Sequence, residues 1–174
     1  YGAFSFILGT VTTTLLAILL GAPLGLAGAV FMAKIAPPKI RDFMRPATDL
    51  YVAIPSVVYG FIGLTIIVPF IRETFGVQTG FGLLASGLIL AIMILPTIIS
   101  VSEDAIRAVP KPLEEGSLAL GATRWQTIVG VILPAAMPGI LTSIILAMAR
   151  AVGETMAVQM VIGNAAQVPD GLFT

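Results

Sequence analysis

Residues 83–99 read LLASGLILAIMILPTII, a stretch without a single charged side chain. A helix rises about 1.5 Å per residue and the hydrocarbon core of a bilayer is about 30 Å thick, so roughly 20 consecutive apolar residues suffice to cross it. The uncharged run around this centre reaches from Thr74 to Ser102, with Pro96 near its far end, and it predicts a membrane-spanning helix over 83–102. Working outward, residues 1–33 also lack charge and predict a first span over 4–33, long enough to tilt or to kink at Pro23. A second span is expected over 50–71. A fourth is assigned to 135–163, where Pro134 and Pro138 suit a first helical turn and the apolar character resumes after Glu154. The run from Trp125 to Ala149 is an alternative for the same crossing. Outer-membrane strands are about 10 residues long and alternate strictly, which these continuous runs do not. The fold class expected is therefore an all-α polytopic membrane bundle.

The whole chain shares this character: 57% of its 174 residues are hydrophobic and 10% are charged, with a mean hydropathy of +1.05. Nine Lys and Arg balance nine Asp and Glu, so nothing suggests a nucleic acid, and the expected surroundings are membrane lipid. Without Cys or His there is no disulfide, no thiolate nucleophile and no imidazole metal site. The chain opens on Tyr1 and lacks a positively charged leader, so it reads as a fragment and not as a signal peptide.

Basic residues mark the cytoplasmic side. Lys34, Lys39, Arg41 and Arg45 fall in the connection 34–49, and Arg107, Lys111 and Arg124 in 103–134, whereas 72–82 holds only Arg72 and 164–174 none. Both basic connections are expected in the cytoplasm and both chain ends outside. Small residues at close spacing, Gly21 and Gly25, Gly60 and Gly63, and Ala147, Ala151, Gly153 and Ala157, fit ordinary close packing of membrane helices and identify no function.

The connection 103–134 is too long and too patterned for a simple linker. Pro112 followed by Glu114 and Glu115 predicts a helix start, and Gly121 a left-handed stop. Thr123 can then cap a second helix through Trp125, Ile128, Val129 and Ile132. With three basic and four acidic residues, the loop is poorly suited to lying on anionic lipid.

This loop resembles that of the integral membrane subunits of binding-protein-dependent ABC importers, whose hallmark is E-A-A-x3-G-x9-I-x-L-P. Glu115, Gly116 and Ser117 stand at the E-A-A positions, Gly121 at the glycine, and Leu133 and Pro134 complete the pattern, while both alanines and the isoleucine are replaced. Gly116 costs the helix about 1 kcal/mol relative to Ala. The resemblance implies a single permease domain, 1–174, of the type I ABC-importer kind, with a coupling helix that docks on an ATPase. No G-x-x-x-x-G-K-[ST] phosphate loop is present, so ATP and Mg would sit on a separate ATP-binding cassette dimer and this chain would not itself be an enzyme.

Three blocks narrow the resemblance to permeases of the phosphate-specific, Pst-type importers: Ala53 to Gly60, Leu120 to Trp125, and Ala149 to Ala157. Their order fits PstC, with the sister PstA second. What this implies is six core spans, of which one before Tyr1 and one after Thr174 would be missing, in a bacterial or archaeal cell membrane. The implied partners are a second homologous permease and a periplasmic or lipid-anchored phosphate-binding protein. Other oxyanions such as molybdate or sulfate, or a non-transporting scaffold, are the alternatives.

Arg150 and Glu154 stand four residues apart in the fourth apolar run. An Arg inside a bilayer costs several kcal/mol unless it pairs or meets water, so such residues are candidates for function. A guanidinium offers a planar fork of donors to an oxyanion, and the carboxylate could hold that fork; equally, the two could only neutralise each other and lock helices together. Ser56, Tyr59, Thr97 and Ser100 could add hydroxyls to a solute pathway, against ordinary bonding to their own helix backbone.

Overall fold

Lipid cannot hydrogen-bond to a peptide group, so every backbone N–H and C=O in a span must be satisfied within the protein, and a helix does this locally. The computed structural model describes residues 4–163, and their regular structure is entirely helical. Helix α1 (Phe4–Val30) passes through Pro23 and ends in a π-helical turn, Phe31–Ile35. Helix α2 (Pro38–Ala53) comes next. Then α3 (Ser56–Ile62), a π-turn (Gly63–Ile67) and α4 (Val68–Phe75) form one rod. Helix α5 (Leu83–Arg107) leads to α6 (Lys111–Ala119). A second rod joins α7 (Arg124–Thr127), a π-turn (Ile128–Ile132) and α8 (Leu133–Gly153), and the short α9 (Met156–Val161) comes last. Among the described residues, four of these continuous stretches are long and apolar enough to cross a membrane: Phe4–Ile35, Ser56–Phe75, Leu83–Arg107 and Arg124–Gly153.

The helices depart from the expected spans in instructive places. Lys34 belongs to the end of the first helix and not to a loop, and most of the connection 34–49 is α2. The second apolar stretch is interrupted at Ile54 and Pro55, both extended with ψ of 130° and 137°, because a residue before proline is pushed out of the α region. Its crossing rod starts at Ser56, and not at Leu50. The third helix runs on past residue 102 to Arg107, carrying Glu103 and Asp104 inside it. The fourth differs most: the continuous helix is Arg124–Gly153, which overlaps the alternative that the apolar run allowed, and residue 154 is extended (ψ 121°).

Prolines explain much of this. Each of the three π-turns ends two residues before one: Pro37, Pro69 and Pro134. A proline ring collides with the carbonyl four residues earlier, which in these cases belongs to Ala33, Thr65 and Gly130, the central residue of each turn. Widening to i→i+5 pairing, seen in Val68 N–H donating to Gly63 O and Leu133 N–H to Ile128 O, relieves that collision without ending the helix, whereas after Ala36 N–H donates to Phe31 O (2.7 Å) the chain turns extended at Ala36 (ψ 131°) and the first helix stops. This is why Pro134 lies within a helical rod instead of starting one, while Pro138 sits inside regular α8.

Helix α5 is the axis: 56% of its apolar window is buried, against 28–33% for the other three. It runs through three clusters in succession. The first gathers Ile89 and Met93 with Tyr59, Ile71 and Val161. The second joins Leu90, Ile94 and Ile98 to Ala17, Ala147 and Ala151. The third packs Ile106 with Val30, Ile128, Ile132 and Ile140. Close approach of α1 depends on missing side chains: a Cβ on Gly25 would lie 2.7 Å from Ile98 Cγ2. Between α5 and α8 the buried hydroxyls of Ser102 and Ser143 hydrogen-bond at 2.7 Å, as polar groups removed from water must. Leu19 (71% exposed) and Ile145 (63%) point outward, as side chains do whose solvent is hydrocarbon.

Candidate functional site

Two regions carry chemistry. The first is the connection after α5. Helix α6 starts at Lys111–Pro112 and stops where Gly121 adopts φ +85°, letting Ala122 N–H return to Ser117 O (3.3 Å). Only glycine takes up this left-handed conformation freely. Thr123 then caps α7 through a reciprocal capping box with Gln126: Thr123 Oγ1 accepts from the Gln126 amide and Gln126 Oε1 accepts from the Thr123 amide. The Thr123 cap is expected from the sequence; its partner Gln126 is not, although S/T-x-x-E/Q spacing marks it. Glu115 and Gly116 are exposed, whereas Ser117 is half-buried and hydrogen-bonds Thr127 Oγ1 at 3.0 Å. Leu133 packs at the edge of the third cluster, and Pro134 is exposed beside it. The tip of the loop presents Leu120, 91% exposed, and Trp125, 63% exposed.

The second region surrounds Arg150. The expected Arg150–Glu154 pair does not form. The helix ends between them, so they no longer share a face, and Glu154 Oε1 instead accepts from the Ala157 amide (3.1 Å) and caps the start of α9. A carboxylate is a good partner for the unpaired N–H groups of a helix start, and Gly153 favours helix propagation little. Arg150 turns to neutral acceptors: Nη1 donates to Thr97 Oγ1 (3.2 Å) and Nη2 lies 3.5 Å from Val52 O. Both Val52 and Arg150 occupy the last turns of their helices, α2 and α8. The negative ends of two helix dipoles therefore offset the guanidinium, without a carboxylate bridge among the described residues.

Of the other expected pathway residues, only Thr97 meets Arg150 directly. Tyr59 is buried, and its hydroxyl already donates to Tyr51 O at 2.7 Å while its ring is tilted at 57° to that of Tyr51, with centroids 5.3 Å apart. It can still accept, but cannot donate to an anion without releasing Tyr51. Ser56 opens α3 half-buried and makes no hydrogen bond to Arg150, Thr97 or Tyr59. Ser100 lies one turn from Thr97 toward the basic end of α5, in a shallow recess with Thr48, Asp49, Arg45 and Glu103. Ion pairs between distant segments, Lys34–Glu114 (2.6 Å) and Arg45–Asp104 (2.8 Å), had no sequence signal, because the partners lie 80 and 59 residues apart.

A family model described as the binding-protein-dependent transport system inner membrane component matches residues 21–173. The chain belongs to this family. Among curated relatives of this inner membrane component, the "Probable ABC transporter permease protein YqgH" of Bacillus subtilis is 54% identical, over 99% of the chain and 56% of that protein. The "Phosphate transport system permease protein PstC" of Mesorhizobium japonicum is 38% identical over 99% and 59%, and that of Haemophilus influenzae 38% over 100% and 61%. The chain thus spans 56–61% of the length of these relatives. A solved inward-facing MetNI methionine ABC transporter superposes with a TM-score of 0.65 at 27% identity, over 87% of this chain and 68% of that one. An amino acid ABC transporter crystallised with histidines shares the fold, with a TM-score of 0.64 at 22% identity over 91% and 70%. The helical type I importer architecture and the resemblance to PstC permeases are thereby established for this chain.

Proposed function

We propose that this chain is the membrane permease of an ATP-driven importer for inorganic phosphate, of the PstC kind. It conducts the anion between itself and a second homologous permease. A periplasmic or lipid-anchored binding protein delivers the solute, and a dimer of separate ATP-binding cassette subunits, holding ATP and Mg, drives alternating access. The chain performs no covalent step. Its basic connections, 34–49 and 103–134, face the cytoplasm where the ATPase docks, and its two ends face outward.

The observation that carries the solute assignment is the state of Arg150. Its guanidinium sits in the last turn of an apolar helix and, among the described residues, bonds only a hydroxyl and a carbonyl. A carboxylate counter-charge would compete with any arriving anion; helix-end dipoles hold the cation while leaving its planar fork available for two oxygens of a phosphate. The names of the PstC relatives support the same solute. Glu154, by contrast, holds the start of α9 through the Ala157 amide.

Radiolabelled phosphate uptake into proteoliposomes, with the full-length permease, its partner permease, ATPase and binding protein, tests the reading. Arg150→Lys keeps the charge and loses the fork, and should lower uptake at least ~10-fold at matched assembly. Sulfate and molybdate are run beside phosphate. Wild-type phosphate uptake by Arg150→Lys, or equal uptake of the other oxyanions, would overturn the assignment.

A further inference from the structure

We propose that Lys34 is a positioning residue that fastens the coupling helix to the first membrane span, so that displacement of α6 moves α1 together with α8. This rests on α6 being the element that meets the ATPase, as proposed above.

Helix α6 has no buried residue. Its backbone neighbours are chiefly α7 and the adjoining π-turn, both part of the fourth membrane rod. In the chain it is separated from α1 by α2, the α3–α4 rod and α5. Among the described residues, its side-chain hydrogen bonds and ion pairs are two: Ser117 to Thr127, which stays within the α6–α8 segment, and Glu114 Oε2 to Lys34 Nζ at 2.6 Å, which reaches across 80 residues to the end of the first span. The Lys34 side chain is 18% exposed and that of Glu114 35%, so this pair is screened less by solvent than an ordinary surface bridge. It stands apart from Arg45–Asp104, whose partners are 49% and 56% exposed.

The backbone directs Lys34 toward α6. It lies in the π-turn that precedes Pro37, and the extra residue of a π-turn rotates the next residues by about 100° relative to a regular helix. Beneath the pair, Ala29 and Val30 of α1 pack with Ile128 and Ile132 in the third cluster. The apolar contact sets the spacing between the two rods, and the ion pair adds a directional tie between α1 and α6 that sliding apolar surfaces lack. A push or pull on α6 is thereby shared between two membrane helices.

The test uses the full-length permease in its assembled transporter, with cysteine-attached spin labels at the exposed Ile35 and Lys111. The interlabel distance is measured with and without ATP and vanadate, in parallel with phosphate moved per ATP hydrolysed. In the wild type a single narrow distance should persist through the cycle. Lys34→Glu and Glu114→Lys should each broaden or lengthen it and lower the transport ratio about fivefold, and the charge-swapped double variant should restore both. Unchanged distances in the single variants, or a double variant that restores neither readout, would overturn the tie. The distance measurement needs no phosphate, so a wild type that holds the narrow distance but transports another solute would overturn the phosphate reading and leave the tie standing.

Discussion

Gly121 shows how much one residue can decide. A Cβ there would touch nothing within 4 Å, so the obstacle to substitution is the backbone at φ +85° and not space. Gly121→Val should cost about 1–2 kcal/mol or more at the loop, whereas Gly121→Asn should be milder, since Asn tolerates the left-handed region. We expect Gly121→Val to insert normally yet to lose co-purification of the ATPase, and Gly121→Asn to retain most of it. Glu154 makes the complementary case. Glu154→Gln keeps an acceptor for the Ala157 amide and should leave α9 intact, while Glu154→Ala should speed amide exchange in 156–161, where the start of α9 is left unsatisfied. Equal exchange in both variants would mean the carboxyl group does not hold α9.

At the scale of elements, the prolines read in the sequence as helix starts or kinks, and that reading is incomplete. Composition shows where a proline sits but not whether the preceding turn widens; two of the three widened turns keep a rod continuous, and the first ends the first span. Pro134→Ala would restore the missing N–H and should let Ile128–Ile132 revert to regular α pairing, turning α7 relative to α8 by about 100°. The expected sign is altered labelling or cross-linking at Trp125 with little change at Ile145. Packing offers a second check. A Cβ on Gly87 would come within 2.8 Å of Leu16 Cγ, so Gly87→Ala should destabilise the α1–α5 contact by about 1–3 kcal/mol in a denaturant titration, and Leu16→Ala in the same chain should recover part of it. The spacing of Gly21 and Gly25 points to this seam, whereas Gly87, alone in an aliphatic run, carries no such signal.

For the whole molecule, apolar runs and basic loops reveal a helical membrane bundle because both follow from bilayer thickness and charge. The two helices of the 103–134 connection are equally legible, because capping and left-handed turns are local. The Arg150 environment is not: where α8 stops and α2 ends depends on contacts between segments nearly 100 residues apart, and no local pattern encodes them. Orientation has a direct test. Cysteine at Gln78 should react with an impermeant thiol reagent applied to spheroplasts and cysteine at Lys111 should not, both positions being exposed; the reverse pattern would invert the topology.

The bare tip at Leu120 and Trp125 also bears on the life of the protein before assembly. On the function proposed, a permease made in excess of its ATPase would display an apolar knob in the cytosol, the kind of feature that quality-control proteases survey. Its half-life should therefore depend on partner supply. Pulse-chase labelling should show slower turnover when the ATPase is co-expressed, and Leu120→Ser should lengthen the half-life of the orphan chain while weakening its capture by the ATPase.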